Sequence, residues 1–529
     1  MRSRFMRVAA AAAAVAVVAS ACGSGDGDDG NVSSAATETS SSAEADRDAT
    51  LRVAINYVPT TLDPHRVSST LAGQVYLGLL YDRLTQIGPG LQAEPMVATG
   101  WEFAEDGGSV TFALRDDVTF WDGTPVDAAA VKASFDRALT LPESTVKGTL
   151  AMIESVEAVD AGTLRITTNR PAADLPYILA GPEGAIINPA QLTNPALDRE
   201  PAGSGAYTLA AFSSGDSATF ARAEHYWDPQ AQLAAEVVVR GIPNDSARMS
   251  ALSSGEVDLA MTTLGQYDQA TRLGDDFETH VYPAASTYMM YLHSGAVPTD
   301  DPLVRQALNW AIDRESISTA LLNGKCDPAV QPLGPAYEAH LEDPPVEYGY
   351  DPERARELLE EAGVAEGTRM RVLVPAGLTL CEDIATAIQG QLAEVGIDME
   401  IVSQESTQIF TSWAETIDYA GFVNVRATRP TEATTLEAGY LNPARYPGPV
   451  PEKFTEAVRA AYDPTLGDHE VGALLEEAST IAVEEAFDVF ICHSPAVWTS
   501  TDDVIGADSM GWSHFTAFGD LRYVGIAAP

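Results

Sequence analysis

The stretch Met370–Val402, MRVLVPAGLTLCEDIATAIQGQLAEVGIDMEIV, decides the fold. Met370–Val374 is a short apolar run of strand length, about Asp383–Val395 spaces its apolar residues as a helix does, and Ile397–Val402 reads as a second strand. Strand, helix and strand in so short a span make a βαβ unit, whose crossover joins two parallel strands. The expected fold class is α/β. Working upstream, Asp301-Pro302 and Asp351-Pro352 each set a capping acid before a helix-starting proline. Ala355, Leu358, Leu359 and Ala362 form the apolar stripe of the second of these helices, and Gly363 is placed to stop it. Downstream, Phe487–Cys492 is a short apolar run, followed by His493, Ser494 and Pro495, and reads as a buried strand leaving a core.

The first half is patterned differently. Leu51–Ile55 alternates as a strand, Thr61-Leu62-Asp63-Pro64 breaks it, and a helix is expected from about Leu71 to Leu84. Val110–Leu114 and Thr163–Thr167 return to period two, as strands of an inserted subdomain. Between them Val131, Phe135 and Leu139 mark an amphipathic helix with Asp127 as its cap.

The amino terminus reads as an export signal over residues 1–21: Arg2, Arg4 and Arg7, an apolar Val8–Ala19, then Ser20 and Ala21 before Cys22. The apolar part is shorter than the roughly 20 residues a bilayer requires. The ending resembles a bacterial lipobox, with Ala19 where leucine is common, which implies lipidation of Cys22. The alternative is an ordinary secreted protein cut near Ala21. Residues 22–50 are Gly, Ser, Thr, Ala and acids, a linker that lacks the apolar surface to fold. Gly25, Gly27 and Gly30 satisfy a dinucleotide-binding spacing, but without a strand before them or a helix after. The net charge of -45 excludes nucleic acid as a partner, since a phosphate backbone is repelled by it. The chain beyond the linker is too long for one core, so two or more lobes are expected. With Cys22 assigned, Cys326, Cys381 and Cys492 remain; Cys326 and Cys381 fall in one expected lobe and are the expected disulfide, leaving Cys492 as a buried thiol.

Several stretches together resemble the family 5 extracellular solute-binding proteins, the oligopeptide-, dipeptide- and nickel-binding receptors of ABC importers. The strongest is Trp101–Leu139, WEFAEDGGSVTFALRDDVTFWDGTPVDAAAVKASFDRAL; LDP at Leu62–Pro64, PAGSGAYTL at Pro201–Leu209, SGEVDLA at Ser254–Ala260, DPLVRQALNWAIDRESI at Asp301–Ile317 and YDPERARELLEEAG at Tyr350–Gly363 follow in the family's order. The resemblance implies a periplasmic-binding-protein-like fold of type II with a hinge. Lobe I would comprise 51–85, 201–280 and a return at 486–529, with 86–200 inserted in it, and lobe II would be 281–485. It also implies a small guest of peptide or peptide-like kind held between the lobes, no catalysis, no cofactor and no bound metal, and delivery to membrane permease subunits by a monomer anchored to the outer face of the cell membrane.

Most signature residues read as architecture: Trp121-Asp122-Gly123 as a turn, Gly203 and Gly205 as positions where the backbone needs freedom, Asp313-Arg314 as a helix cap. Ligand contacts are sought in loops after strands. These are Tyr57 and Asp63 after the first strand, Tyr288 and His293 in an aromatic segment similar to the family's crossing strand, and His493 and Trp498 after the return strand. In dipeptide-binding relatives the region of Asp418–Pro430 carries a Gly-Trp and then an aspartate that pairs with the ligand's amine. Here Phe422, Asn424, Arg426 and Arg429 stand instead, and the two arginines suit a carboxylate or other anion. Glu432 is the nearest acid. No nucleophile-elbow, zincin or phosphate-loop motif is present, and the histidines are scattered singly, so an enzyme is not expected. The alternative function is a lipid-anchored sensor or receptor for a non-peptide ligand such as a metal chelate or oligosaccharide.

Overall fold

Thr368–Pro375 and Ile397–Gln404 pair in parallel, in register from Thr368↔Ile397 to Pro375↔Gln404, with helix Thr379–Glu394 as the crossover. The computed structural model describes residues 44–67, 70–88, 91–508, 510 and 519–529, so Cys22, the expected lipidation site, and the expected signal at 1–21 lie outside the described residues. The βαβ unit forms because the two periods are complementary. Val372 and Val374 meet Ile384, Ile388 and Leu392 of the helix in one core, while Leu373, one step along, joins Phe422 and Trp413 on the other face.

The unit is the edge of a sheet that counts eleven strands among the described residues. From this edge the order runs through Gly421–Ala427, Phe277–Leu292, Asp488–Thr501, Leu259–Thr262, Thr50–Ile55, Glu236–Gly241, Ser217–Arg222 and Tyr207–Ser213. Thr50–Ile55 is parallel to both of its neighbours. The central pair, Phe277–Leu292 and Asp488–Thr501, are the longest strands at 16 and 14 residues. One half of each belongs to the first lobe, where Phe277–Tyr282 faces Ala496–Thr501 beside Leu259–Thr262; the other half, Ser286–Tyr291 against Asp488–Ser494, lies beside Gly421–Ala427 in the second. The fold is α/β and two-lobed.

In the first lobe Leu51, Val53 and Ile55 pack with Tyr76, Leu79, Leu80, Phe220, Val237 and Trp498. Helix Thr70–Leu80 stops short of the expected Leu84, because Asp82 and Arg83 are drawn into a buried polar cluster: Asp82 accepts from Ser204, Tyr226 and Trp227. The inserted subdomain has its own core, with Val110, Phe112, Val131, Phe135, Leu164 and Ile166, and a four-stranded sheet in the order Ala98–Phe103, Ser109–Leu114, Thr163–Thr168, Ile153–Asp160. Its helix Ala128–Thr140 is capped by Asp127, which accepts from the Ala130 N–H. Asp301, Asp313 and Asp351 cap the helices Pro302–Trp310, Arg314–Leu322 and Pro352–Glu361 in the same way.

Two of the signature glycines explain themselves by space. A Cβ on Gly203 would stand 1.9 Å from the Leu80 carbonyl oxygen, and one on Gly205 2.4 Å from the Leu80 carbonyl carbon. The Trp121 indole N–H reaches the Gly205 carbonyl at 3.0 Å, tying the turn to the same glycine segment.

The cysteine pairing differs from expectation. Cys326 is bonded to Cys492, with Cα atoms 5.4 Å apart, and Cys381 is a buried free thiol. The reason is register: Asp327-Pro328 pairs with Cys492-His493, which sets Cys492 beside Cys326, whereas Cys381 sits on the crossover helix facing the core. The first half of the return strand therefore shares a core with the βαβ unit. Peptide mapping under non-reducing conditions is expected to recover Cys326 linked to Cys492. Cys326→Ser and Cys492→Ser are each expected to lower unfolding stability by about 2–5 kcal/mol, and Cys381→Ser by far less, as read from denaturant midpoints.

Candidate functional site

The two long strands do not pair without interruption. Tyr282 faces Ala496 and Ser286 faces Ser494, so three residues on one strand stand against Pro495 on the other. A second irregularity lies between Tyr288 and Met289. Such bulges bend a pair and add twist, and this one falls where the strands pass from one lobe to the other, the place where a hinge between lobes is expected.

Beside the hinge, one row of polar residues crosses three strands. Thr287 pairs with His493 on one side and with Arg426 on the other. Thr287 Oγ1 lies 3.0 Å from His493 Nδ1, while Nε2 of the same ring is buried and has no partner. Burial, helped by the nearby His340 and Arg426 charges, holds the His493 pKa down at about 3, so the ring is neutral. Arg426 donates to the Pro332 carbonyl at 3.1 Å and stacks toward Tyr440 and Phe490, 5.4 Å and 5.9 Å from their ring centres. Burial alone would lower its pKa, but Tyr440, Tyr291 and the buried Asp488 raise it, so the guanidinium is charged. Asn424, two pairs further along opposite Met289, is buried and accepts from the Val425 N–H at 2.9 Å.

The lobes touch beyond the hinge. The Ala173 N–H of the inserted subdomain donates to the Tyr462 carbonyl at 3.1 Å. Arg170 lies 4.4 Å over the Tyr462 ring, whose hydroxyl donates to Glu437 at 2.6 Å. Ile87, Leu91 and Ala180 of the first lobe pack in the same apolar cluster as Leu333, Tyr337, Ala433 and Leu436 of the second. Glu183 of the inserted subdomain and Arg429 of the second lobe are close enough to shift each other's ionisation. Tyr337 anchors the Arg429 segment by donating to the Arg429 carbonyl. This is a closed arrangement.

Against this geometry the expected contacts separate into two groups. His493, Asn424 and Arg426 come together around the row, Arg429 lies by Glu183 at the contact between the lobes, and Tyr57 lies half-buried at the margin of the first lobe's core, its carbonyl accepting from the Tyr76 hydroxyl at 3.3 Å. The others are packed elsewhere. Asp63 is buried in an ion pair with Arg137 and accepts from the His65 N–H, beside a cavity of about 490 Å³ lined within the first lobe by Arg66, Arg137 and Asp198. His293 sits edge-on to Trp413 at 5.4 Å and accepts from the Gly295 N–H. Phe422 is core between Tyr291, Phe410 and Trp413. Trp498 is in the first lobe's core, and Tyr288 packs against the helical side of the second. Sequence reading missed Thr287, Glu183 and Tyr337. Only the polar break in an apolar strand marks Thr287, and nothing local marks the other two.

Residues 92–435 match the family described as bacterial extracellular solute-binding proteins, family 5 middle. The chain belongs to this family. Glutathione-binding protein GsiB of Escherichia coli (strain K12) is 30% identical to this binding protein over 369 residues, 68% of this chain and 70% of that one. Among solved structures, NikA from Brucella suis in complex with Fe(III)-EDTA superposes with a TM-score of 0.81 at 22% identity, covering 90% of this chain and 100% of that one. The periplasmic binding protein DppA from Helicobacter pylori in complex with peptide STSA gives 0.77 at 23%, covering 91% and 98%. These likenesses show the two-lobe fold.

In this binding protein Glu183 gives the interlobe contact a pH dependence. Burial pushes its carboxyl up to about 7, with Arg429 and Thr149 pulling the other way. A carboxyl raised in the fold binds its proton more tightly there than in the unfolded chain, so its contribution is full below the ordinary value of 4.5 and is lost as the pH rises toward 7. Glu183→Gln is expected to remove that component, on the order of 3 kcal/mol or less, when urea unfolding is compared at pH 5 and pH 8. Asp63→Ala, which strands the buried Arg137, is expected to cost about 3–5 kcal/mol while leaving solute affinity unchanged.

Proposed function

We propose that this binding protein is the solute-capturing component of an ABC importer, anchored outside the cell membrane through Cys22, and that it takes peptides or peptide-like solutes such as glutathione. The observation that carries the reading is the neutral, half-satisfied His493 in a row with Thr287 and the charged Arg426, at the crossing between two lobes that meet on either side. A buried polar atom without a partner is costly, and a guest's polar group at that place relieves the cost. Family membership supports the transport role, and the relatives' named ligands support the solute class. The absence of an acid at the Phe422–Arg429 stretch, with Arg426 and Arg429 there instead, favours guests recognised through a carboxylate over guests held by a free amine. Glutathione and acidic short peptides carry such groups.

Capture needs no bond chemistry. A guest that contacts both lobes shifts open and closed forms toward the closed one by its differential affinity for the two. The tether in this reading is a lipid on Cys22, whose lipobox-like surroundings support it; among the described residues no helix is long and apolar enough to cross a membrane.

Isothermal titration and thermal shift with glutathione, di- and tripeptides and nickel chelates test the reading. A peptide-class ligand at about 100 times its dissociation constant is expected to add about 2.7 kcal/mol of stability. His493→Gln is expected to weaken that ligand about three- to tenfold, the range of one hydrogen bond. If chelates bind and no peptide does, the peptide assignment is wrong.

A further inference from the structure

Three side chains from distant parts of the chain meet at the first-lobe end of the crossing strands. Glu278 and His280 are two apart on Phe277–Leu292 and so point to one face. Asp508 arrives from the C-terminal segment. One donor atom from each lies within 4.8 Å of the other two; His280 is buried, and the carboxylates are exposed. His280 Nδ1 is 2.9 Å from Asp508 Oδ1, and Nε2 is 2.9 Å from Ser500 Oγ. Among the described residues no arginine or lysine forms an ion pair with Glu278 or Asp508.

One of the two tautomers that these contacts allow presents the ring to a cation. When Nε2–H donates to Ser500 Oγ, the lone pair of Nδ1 faces a carboxylate oxygen, and two acceptors at that distance repel unless something positive lies between them. A proton can serve. A divalent ion serves better, because Glu278 stands ready as a third donor and the Ser500 hydroxyl can accept from Nε2–H, the tautomer that leaves Nδ1 to ligate, as outer-shell partners of metal-bound histidines do. Tyr282, two residues further on the same face, senses both carboxylates and donates to the Ala507 carbonyl, which holds the Asp508 segment in place.

We propose that Glu278, His280 and Asp508 bind one divalent transition-metal ion that pins the C-terminal segment to the crossing strand. One imidazole nitrogen with two carboxylates suits zinc, cobalt or nickel; calcium and magnesium take oxygen-only sets. Zinc–ligand bonds of about 2.0–2.2 Å require the three donor atoms to draw together, and the two exposed carboxylates are free to move toward the buried ring. The site is separate from the row at the hinge, and the proposal stands whatever solute is carried.

The test uses the full chain stripped with EDTA and titrated with zinc alone, by calorimetry and native mass spectrometry. One zinc per chain is expected, and cobalt in its place should give visible d–d absorption bands. His280→Ala is expected to weaken zinc by at least tenfold, since loss of even an outer-shell partner costs about 10–100-fold. The double variant Glu278→Gln with Asp508→Asn alters only exposed groups and should do the same, so it decides the matter if the histidine variant fails to fold. No stoichiometric zinc, or zinc bound equally by the double variant, overturns the proposal.

Discussion

Phe277–Leu292 and Asp488–Thr501 are each shared between two hydrophobic cores, and their mutual hydrogen bonding joins the lobes. Backbone donors and acceptors in a buried strand must be paired, so the ladder is kept on both sides of the crossing. The pairing is interrupted most where Tyr282 to Ser286 runs against Ala496 to Ser494. The same pairing positions the chemistry. Thr287, His493 and Arg426 share one row because three strands are in register there, and Cys492 reaches Cys326 because a fourth short strand pairs at Pro328.

Closure is then a balance between few groups. The Ala173–Tyr462 hydrogen bond, the Arg170 contact with the Tyr462 ring and the charges of Glu183 and Arg429 favour the shut form without a guest. A guest adds only the difference between its contacts in the two forms. Strong contacts of the chain's own would shut it empty, and the raised pKa of Glu183 shows that one of them carries a desolvation cost at neutral pH. Neighbours of the same fold with chelate and peptide cargo underline that the frame does not choose the ligand.

The fold was legible where local periods are strong. The βαβ unit of Thr368–Gln404 and the caps at Asp127, Asp301 and Asp351 follow from pattern and turn chemistry, whereas Gly203 and Gly205, read for backbone freedom, are required instead by the close approach of the Leu80 backbone. The return strand looked short because its apolar run ends at Cys492, yet it continues to Thr501; beyond Cys492 it leaves one core for another, and Ser and Thr side chains bond across the sheet, as Thr499 does to Thr262 at 2.8 Å. That is also why the cysteine pairing was misread: connectivity depends on a long-range register that spacing does not encode. Site residues were legible by type rather than by place. His493 and Arg426 stand at the crossing, whereas His293, Phe422 and Trp498, of the same aromatic and basic character, are consumed by packing.

The most direct measurement is single-molecule energy transfer between dyes at the exposed positions Val159 and Ile417, one in the inserted subdomain and one in the second lobe. With a peptide-class solute that calorimetry shows to bind, the account predicts exchange between two distances in the free protein and a single short distance at saturation. One unchanged distance with and without bound solute would contradict it.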